Sequence, residues 1–247
     1  MYDVRNIGPN IRVNSKKLIN LCSNDYLGIK PPKISRKQNQ SSSRLIAGND
    51  ESFKILESKL AKHKSQDSAL IFPTGYMANL GVISSLIQKN DHVYSDEFNH
   101  ASLIEACKMT GAKITIFSHN NMSDLNSKIK ADSKRKFIIT EGIFSMDGDR
   151  ADLKIISEIS QKHNAITVLD DAHGDFIIGK NGGGSANYFG VGKKIDVYTS
   201  SLSKGLGSFG GYIASQKNVI DISINKSKSF IYTSAVSYTH LTLPTKA

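Results

Sequence analysis

The stretch TSSLSKGLGSFGGY, residues 199–212, holds two patterns that lead to different folds. Its glycines, GLGSFG at 205–210, match the GxGxxG spacing of a dinucleotide-binding loop. Such a loop must follow a strand and open a helix, because the pyrophosphate rests on the helix N-terminus. Here the glycines run into GYIAS (211–215), which reads as another strand. The dinucleotide reading therefore fails, and SLSKGLG lacks the first glycine and the spacing of a P-loop. What remains is Lys204, isolated between a hydroxyl-rich and a glycine-rich run after the apolar segment IDVY. The ordinary reading of a lysine is a solvated surface residue. This one has small neighbours that allow close approach to the backbone. A desolvated lysine also has a lowered pKa, which suits it to covalent chemistry with carbonyls.

Outward from this stretch, short apolar runs alternate with amphipathic ones. Strands are predicted at ALIF (69–72), HVYSD (92–96), KITIFS (113–118), KFIITEG (136–142), AITVLDDA (165–172), IDVYTS (195–200) and GYIAS (211–215). Helices are predicted at 51–64, where Phe53, Leu56 and Leu60 form one stripe, and at 75–89, 99–111 and 152–164. The second is apolar over most of its surface and should be buried, the third ends on Gly111 as a C-cap, and the fourth begins with a capping Asp152. Strands alternating with helices predict an α/β fold with a mostly parallel central sheet flanked by helices.

Composition narrows the function classes. Lys+Arg 32 against Asp+Glu 22 gives a net charge of +10, yet the lysines are scattered in twos and threes among acids. No basic block, zinc-finger spacing or aromatic RNA-binding motif accompanies them, so a solvated surface is favoured over nucleic-acid binding. The excess charge is compatible with an anionic substrate. Cys22 and Cys107 are far apart, which suggests a reducing compartment and no structural zinc. With no apolar N-terminal stretch and no run near eighteen apolar residues, the expectation is a cytoplasmic protein without membrane contact. No GxSxG elbow or HExxH spacing supports a hydrolase or a zinc protease.

In such sheets ligands sit beyond the carboxyl ends of the strands. That rule selects 74–76, 97–100, 141–145, 170–173 and 201–204, so Lys204 falls where a site belongs. PTGYMAN (73–79) places Thr74 and Gly75 at a helix start, which is either a phosphate site or an ordinary cap. LDDAHG (169–174) ends a strand with two acids and a histidine. A buried carboxylate there needs a cationic partner, and a protonated pyridine nitrogen would supply one. A phosphate site, an acid and a lysine, each after a strand, point together to pyridoxal 5′-phosphate.

With SNDYLG (23–28), SRLIAGN (43–49), FPTGYMAN (72–79), SDEFNHASLIEAC (95–107), TEGIFSMDGD (140–149), LDDAHG and TSSLSKGLGSFGGY, the chain resembles the α-oxoamine synthases from about residue 18 to 235. These are fold-type I pyridoxal-phosphate enzymes that condense an amino acid with an acyl thioester and release carbon dioxide. SRLIAGN is most similar to the branch that makes 8-amino-7-oxononanoate from L-alanine and a pimeloyl thioester in biotin biosynthesis; glycine C-acetyltransferase is the alternative within the family. An inactive fragment that still binds the cofactor is the alternative outside catalysis. The resemblance implies that Lys204 carries the cofactor covalently, Asp170 holds the pyridine nitrogen protonated, and His173 contacts the phenolic oxygen and assists catalysis. It implies that His100 stacks on the ring, that Ser145 hydrogen-bonds the cofactor, and that Gly75, Tyr76 and Ser201 bind phosphate, Ser201 standing where the family usually has threonine. Asn24 would lie near the substrate amino acid, and Thr233 or Ser234 would reach the phosphate of the other subunit in a homodimer. The implied partners are small-molecule substrates, an amino acid and a thioester on coenzyme A or a carrier protein.

Two departures shape the expected domain organisation. The family's glycine-rich approach to SRL reads QNQSSS here, and after FIYTSA the sequence VSYTHLTLPTKA lacks the family's pattern. The expected division is an N-terminal segment (1–38), a cofactor-binding large domain (39–235) and a tail outside the family (236–247). The small C-terminal domain, with its arginine for the substrate carboxylate, is expected to be missing.

Overall fold

The computed structural model describes residues 4–7, 10–29, 42–132 and 134–234; the tail at 236–247 and the expected domain boundary near 38 lie outside them. Seven strands form the central sheet: β4 (Ser68–Phe72), β5 (His92–Asp96), β6 (Lys113–Phe117), β7 (Lys136–Glu141), β8 (Ala165–Asp170), β9 (Val197–Ser201) and β10 (Gly211–Ser215). Their order is β4-β10-β9-β8-β7-β5-β6. Every pairing is parallel except those of β10, which runs antiparallel to β4 and β9. GYIAS is thus a strand, and the mostly parallel α/β sheet read from the sequence is the one observed.

Two layers of helix cover this sheet. On one face α1 (Glu51–Lys64) and α5 (Leu153–His163) contribute Phe53, Leu56, Leu60, Ile156 and Ile159 to one apolar cluster. On the other, α2 (Gly75–Leu86), α3 (Ala101–Thr110), α7 (Lys217–Lys226) and α8 (Lys228–Ile231) contribute Val82, Ile83, Leu103, Ala106, Ile220 and Phe230 to a second. Consecutive residues of β7 split between them: Phe137 and Ile139 enter the second cluster, Ile138 the first. This is the period of two expected of a strand buried on both faces.

Local chemistry sets the helix ends. Asp50 accepts the Ser52 amide at the start of α1, and Ser65 closes it in the left-handed region at φ 54°. Asp152 accepts the Ile155 amide at the start of α5, and Gly111 ends α3 at φ 67°, as expected for both. Helix α2 stops at Leu86, three residues before the predicted 89, because Ile87 is extended. Two short helices, α4 (Met122–Lys128) and α6 (Ser185–Tyr188), complete the set.

An N-terminal meander, β1 (Val4–Ile7), β2 (Asn10–Val13) and β3 (Lys16–Ile19), was not expected. Its second turn is Asn14-Ser15, both at positive φ (46° and 70°), the two-residue geometry that matches strand twist. Strand β3 is exposed along its length, so it lacks the buried-face alternation by which a strand is recognised.

Candidate active site

The carboxyl ends of β7, β8 and β9 meet the amino ends of α2 and α3 around a cavity of about 220 Å³. Lys204 lines it, and its Nζ lies 2.7 Å from His173 Nε2. Its hydrogen-bond partner is thus an imidazole and not a carboxylate. Burial lowers the Lys204 pKa, opposed by the more distant charges of Asp170 and Glu141. His173 is held down to about 4 by burial, then by Lys204 and His100, so its ring is neutral near pH 7. Its Nδ1 lies 2.6 Å from the Tyr26 hydroxyl.

Asp170 ends β8 and forms the wall opposite. Its Oδ1 accepts the Ala172 amide at 3.0 Å and its Oδ2 accepts Asn79 Nδ2 at 2.6 Å. Both oxygens are bound by neutral donors, which leaves the carboxylate without a directly paired cation. In the register of β7 and β8, Glu141 stands beside Asp170. Burial first, then Asp170, pushes the Glu141 carboxyl up to about 8, although it accepts the His100 amide at 2.5 Å.

The first turn of α2 forms a third wall. Thr74 caps it, its hydroxyl accepting the Met77 amide and its carbonyl the Ala78 amide. Of the unpaired amides at a helix start, those of Gly75 and Tyr76 then remain, both in the cavity lining. Gly75 packs so tightly on β9 that a Cβ there would stand 3.1 Å from Ser201 Cβ. Ser201 and Ser203 share a hydroxyl contact of 2.8 Å at the same end. Hydroxyls, free amides and the positive end of a helix dipole make this an oxyanion cradle.

Seven predicted residues are therefore brought together: Lys204, Asp170, His173, His100, Gly75, Tyr76 and Ser201. Three are not in the cavity lining. Ser145 is exposed on a tight turn closed by the Phe144 amide on the Asp149 carbonyl. Thr233 is half-buried beyond α8, and Asn24 is exposed, connected to the site only through its contact with Tyr26. Asn79, Ser102, Ser203 and Tyr26 received no role from sequence. For Asn79 a signal existed, since it lies four residues after Gly75 and so on the same helix face. The glycines of GLGSFGG also serve differently from expectation. A Cβ at Gly205 would meet the Asp175 carbonyl at 2.7 Å and one at Gly211 the Gly75 amide at 2.4 Å. At these two positions glycine admits the close approach of protein backbone.

Behind the cavity lies a second ionic group. Lys64 of α1 reaches Asp171 at 3.0 Å and Asp175 at 2.5 Å, and His63 also bonds Asp175. Tyr212 donates to Asp175 at 2.5 Å, and the Ser185 amide to Asp171. A larger hollow of about 630 Å³ lies at the opposite, amino-terminal edge of β7 and β8, lined by Lys130, Arg135, Lys136 and Lys162. It carries none of these groups.

The aminotransferase class I and II family profile matches residues 16–243. The chain is 38% identical to an 8-amino-7-oxononanoate synthase of Cellvibrio japonicus, covering 92% of this chain and 60% of that protein. It is 37% identical to the enzyme of that name from Thermoanaerobacter pseudethanolicus, over 93% and 61%. Among solved structures it is similar to the serine palmitoyltransferase of Sphingomonas wittichii, with TM-score 0.88, 29% identity, and coverage of 94% of this chain and 61% of that one. The chain thus spans about three fifths of the length of the curated relatives it matches. A further similar structure, with TM-score 0.86 and 28% identity, holds pyridoxal phosphate. Among the described residues no helix is long and apolar enough to cross a membrane. The resemblance drawn from seven motifs is borne out, and the chain belongs to the aminotransferase class I and II family of pyridoxal-phosphate enzymes.

Proposed function

We propose that this chain provides the cofactor-binding part of an acyltransferase that condenses L-alanine with a pimeloyl thioester, releasing carbon dioxide and the thiol to give 8-amino-7-oxononanoate. The observation that carries the chemistry is Lys204, a half-buried amine with a lowered pKa whose hydrogen-bond partner among the described residues is His173 and not a carboxylate. The likeness to enzymes named for this reaction supports the substrates. Pyridoxal phosphate, when bound, supplies an aldehyde for amines and a ring that withdraws electrons from the substrate α-carbon.

The residues fit that group. The orphaned Asn79 Oδ1, the unpaired Asp170 carboxylate and the oxyanion cradle at α2 match an amphoteric ring with a phosphate. Asp170 would hold the proton of the ring nitrogen, and His173 would meet the phenolic oxygen. His100 would lie against the ring face. The amides of Gly75 and Tyr76 with Ser201 would hold phosphate. Lys204 would anchor the cofactor and, once displaced by substrate, take the α-proton, a role its lowered pKa favours. His173, neutral near pH 7, would donate toward the carbonyl oxygen of the new ketone. A homodimer, with Thr233 or Ser234 reaching across, remains part of this proposal.

The testing experiment joins this chain to the C-terminal domain of a relative, offers alanine, glycine and serine in turn with pimeloyl-CoA or palmitoyl-CoA, and follows free thiol and carbon dioxide. Turnover of alanine with pimeloyl-CoA above the other pairs is expected. Preference for serine with palmitoyl-CoA would transfer the assignment to the serine palmitoyltransferase reaction, and preference for glycine to a glycine C-acetyltransferase-like one.

A further inference from the structure

Asp170 and His100 stand on different walls of the cavity, yet a chain of hydrogen bonds, buried from Asp170 as far as Ser102, joins them. Asn79 Nδ2 donates to Asp170 Oδ2 at 2.6 Å and to Ser102 Oγ at 2.9 Å, and Ser102 Oγ lies 2.7 Å from His100 Nδ1. Asn79 is 2% exposed and Ser102 fully buried, so water does not compete for the bonds from Asp170 to Ser102, while His100 itself is exposed at the far end. We propose that Asn79 and Ser102 are positioning residues that carry the polarity of the Asp170 carboxylate to His100, so that the proton of its ring sits on Nε2, facing the cavity.

Each direction follows from the one before. A carboxylate only accepts, so Asn79 must turn its NH₂ toward Asp170; the flipped amide would set oxygen against oxygen. The same NH₂ then donates its second hydrogen to Ser102. Asn79 Oδ1 is left buried without a partner among the described residues, the cost of an orientation imposed from one side. Ser102 has a single proton, and having accepted from Asn79 it directs that proton to His100 Nδ1. The Ser102 backbone amide also points at Nδ1, from 3.2 Å. An imidazole nitrogen that meets two donors is an acceptor, so the hydrogen belongs on the other nitrogen. Glu141 holds the His100 backbone amide from behind, which keeps the residue from turning away.

The consequence is that the cavity meets a hydrogen-bond donor on His100, suited to an occupant with an oxygen acceptor there. It also means that a change at Asp170 is felt at His100 without contact between them. The link to a cofactor rests on the function proposed above, whereas the chain of bonds belongs to the protein alone.

The test is ¹⁵N-resolved NMR of the histidine rings in the whole chain at neutral pH, first without cofactor and then with pyridoxal phosphate added. Expected in the cofactor-free protein is one His100 tautomer, protonated at Nε2 with Nδ1 in the acceptor range. Ser102→Ala and Asn79→Leu should lose that single-tautomer pattern, and Ser102→Thr, which keeps the hydroxyl, should retain it. A His100 protonated at Nδ1 or at both nitrogens would overturn the proposal. So would unchanged His100 resonances in folded Ser102→Ala. If neither broken variant folds, the wild-type tautomer still decides. Failure of pyridoxal phosphate to bind would instead refute the proposed function and leave the tautomer result standing.

Discussion

Asp170 and Asp171 are neighbours in sequence, but of the two it is Asp171 that pairs with a lysine, whereas Asp170 is bound by neutral donors. Asp171, with Asp175, encloses Lys64 in a closed group where the lysine side chain is 1% exposed and both carboxylates 0%. Burial opposes the Lys64 charge, but Asp175 and Asp171 outweigh it, and the net shift is upward. Lys204, on the cavity side, is bonded to a neutral imidazole while Asp170 and Glu141 act only from farther off, and burial lowers its pKa. Two lysines of one chain, Lys64 buried and Lys204 half-buried, thus have opposite character. What separates them is whether a carboxylate lies within hydrogen-bond reach, since at that distance the charge pair outweighs desolvation. A lysine paired with a carboxylate keeps its proton; one without such a partner gives it up more readily. The difference also explains the enclosure of Asp171, where a Cβ at Gly184 would collide with its carboxylate. A side chain there would open the ionic group to water.

This contrast can be broken most severely at Lys204. Lys204→Ala should abolish the covalent cofactor adduct, read as complete loss of the borohydride-trapped peptide, while wild type carries the label on Lys204 and none on Lys64. A label elsewhere would reverse the roles assigned to the two lysines. Next in size is Lys64→Met. It would leave two buried carboxylates without their cation, and breaking a buried pair from one side typically costs about 3–5 kcal/mol. Urea unfolding should register that loss. Replacing Asp171 and Asp175 together with Lys64 should cost less than the single change, because no uncompensated charge remains.

Asp170→Asn should be milder for stability and sharper for function. Loss of a charge-assisted contact of about 1.5–3 kcal/mol corresponds to roughly ten- to a hundredfold weaker cofactor binding. Exchange of the alanine α-proton with solvent deuterium should fall further still, because a neutral amide cannot hold the ring nitrogen protonated. Unchanged exchange would remove Asp170 from its proposed role.

The two groups should also differ in acid. His173 titrates at about 4 in the fold against an ordinary value near 6.5, so below that value the unfolded chain binds the extra proton. Stability should therefore decline as pH falls from about 6.5 to about 4. Asp175 is depressed to about 2: burial would raise it, but Lys64 and His63 hold it down. Its contribution is intact above its unfolded pKa near 3.9 and is lost as pH falls toward about 2. Stability measured against pH should lose the upper slope in His173→Asn and keep the lower one. The smallest effect is expected from Tyr26→Phe. A neutral hydrogen bond contributes about 0.5–1.5 kcal/mol, and Tyr26 is exposed enough to place this one at the low end. A severalfold loss of turnover with unchanged thermal stability would fit a tyrosine that only orients His173.

Most of the framework was legible before any coordinates. The seven central strands match their expected ranges within two residues at either end because each is an apolar run, buried along nearly its whole length in every strand but the edge strand β6, and α1 is bounded as its stripe predicts. The meander at β1–β3 and the helices α4, α6, α7 and α8 were not expected, being short or lacking a continuous apolar stripe. Of the site, the residues at strand ends were found because topology alone places them. Ser145 was selected by the same rule, but the turn at 143–150 carries it into solvent.

The sequence by itself determined the seven central strands, four of the helices between them, and the edge of the sheet where Lys204, Asp170 and His173 come together. These depend on local patterns: apolar runs, caps, and the residue types that follow each strand. Which carboxylate meets which lysine was decided only by the tertiary structure. Asp170 and Asp171 are identical in local pattern, and their separation arises because successive residues at the end of β8 turn to opposite sides. One meets Asn79 of α2, and the other Lys64 of α1, 107 positions away in the chain. Contacts over such distances are set by how the helices pack on the sheet, and that packing gives Lys64 a counter-charge and leaves Lys204 with an imidazole and a lowered pKa.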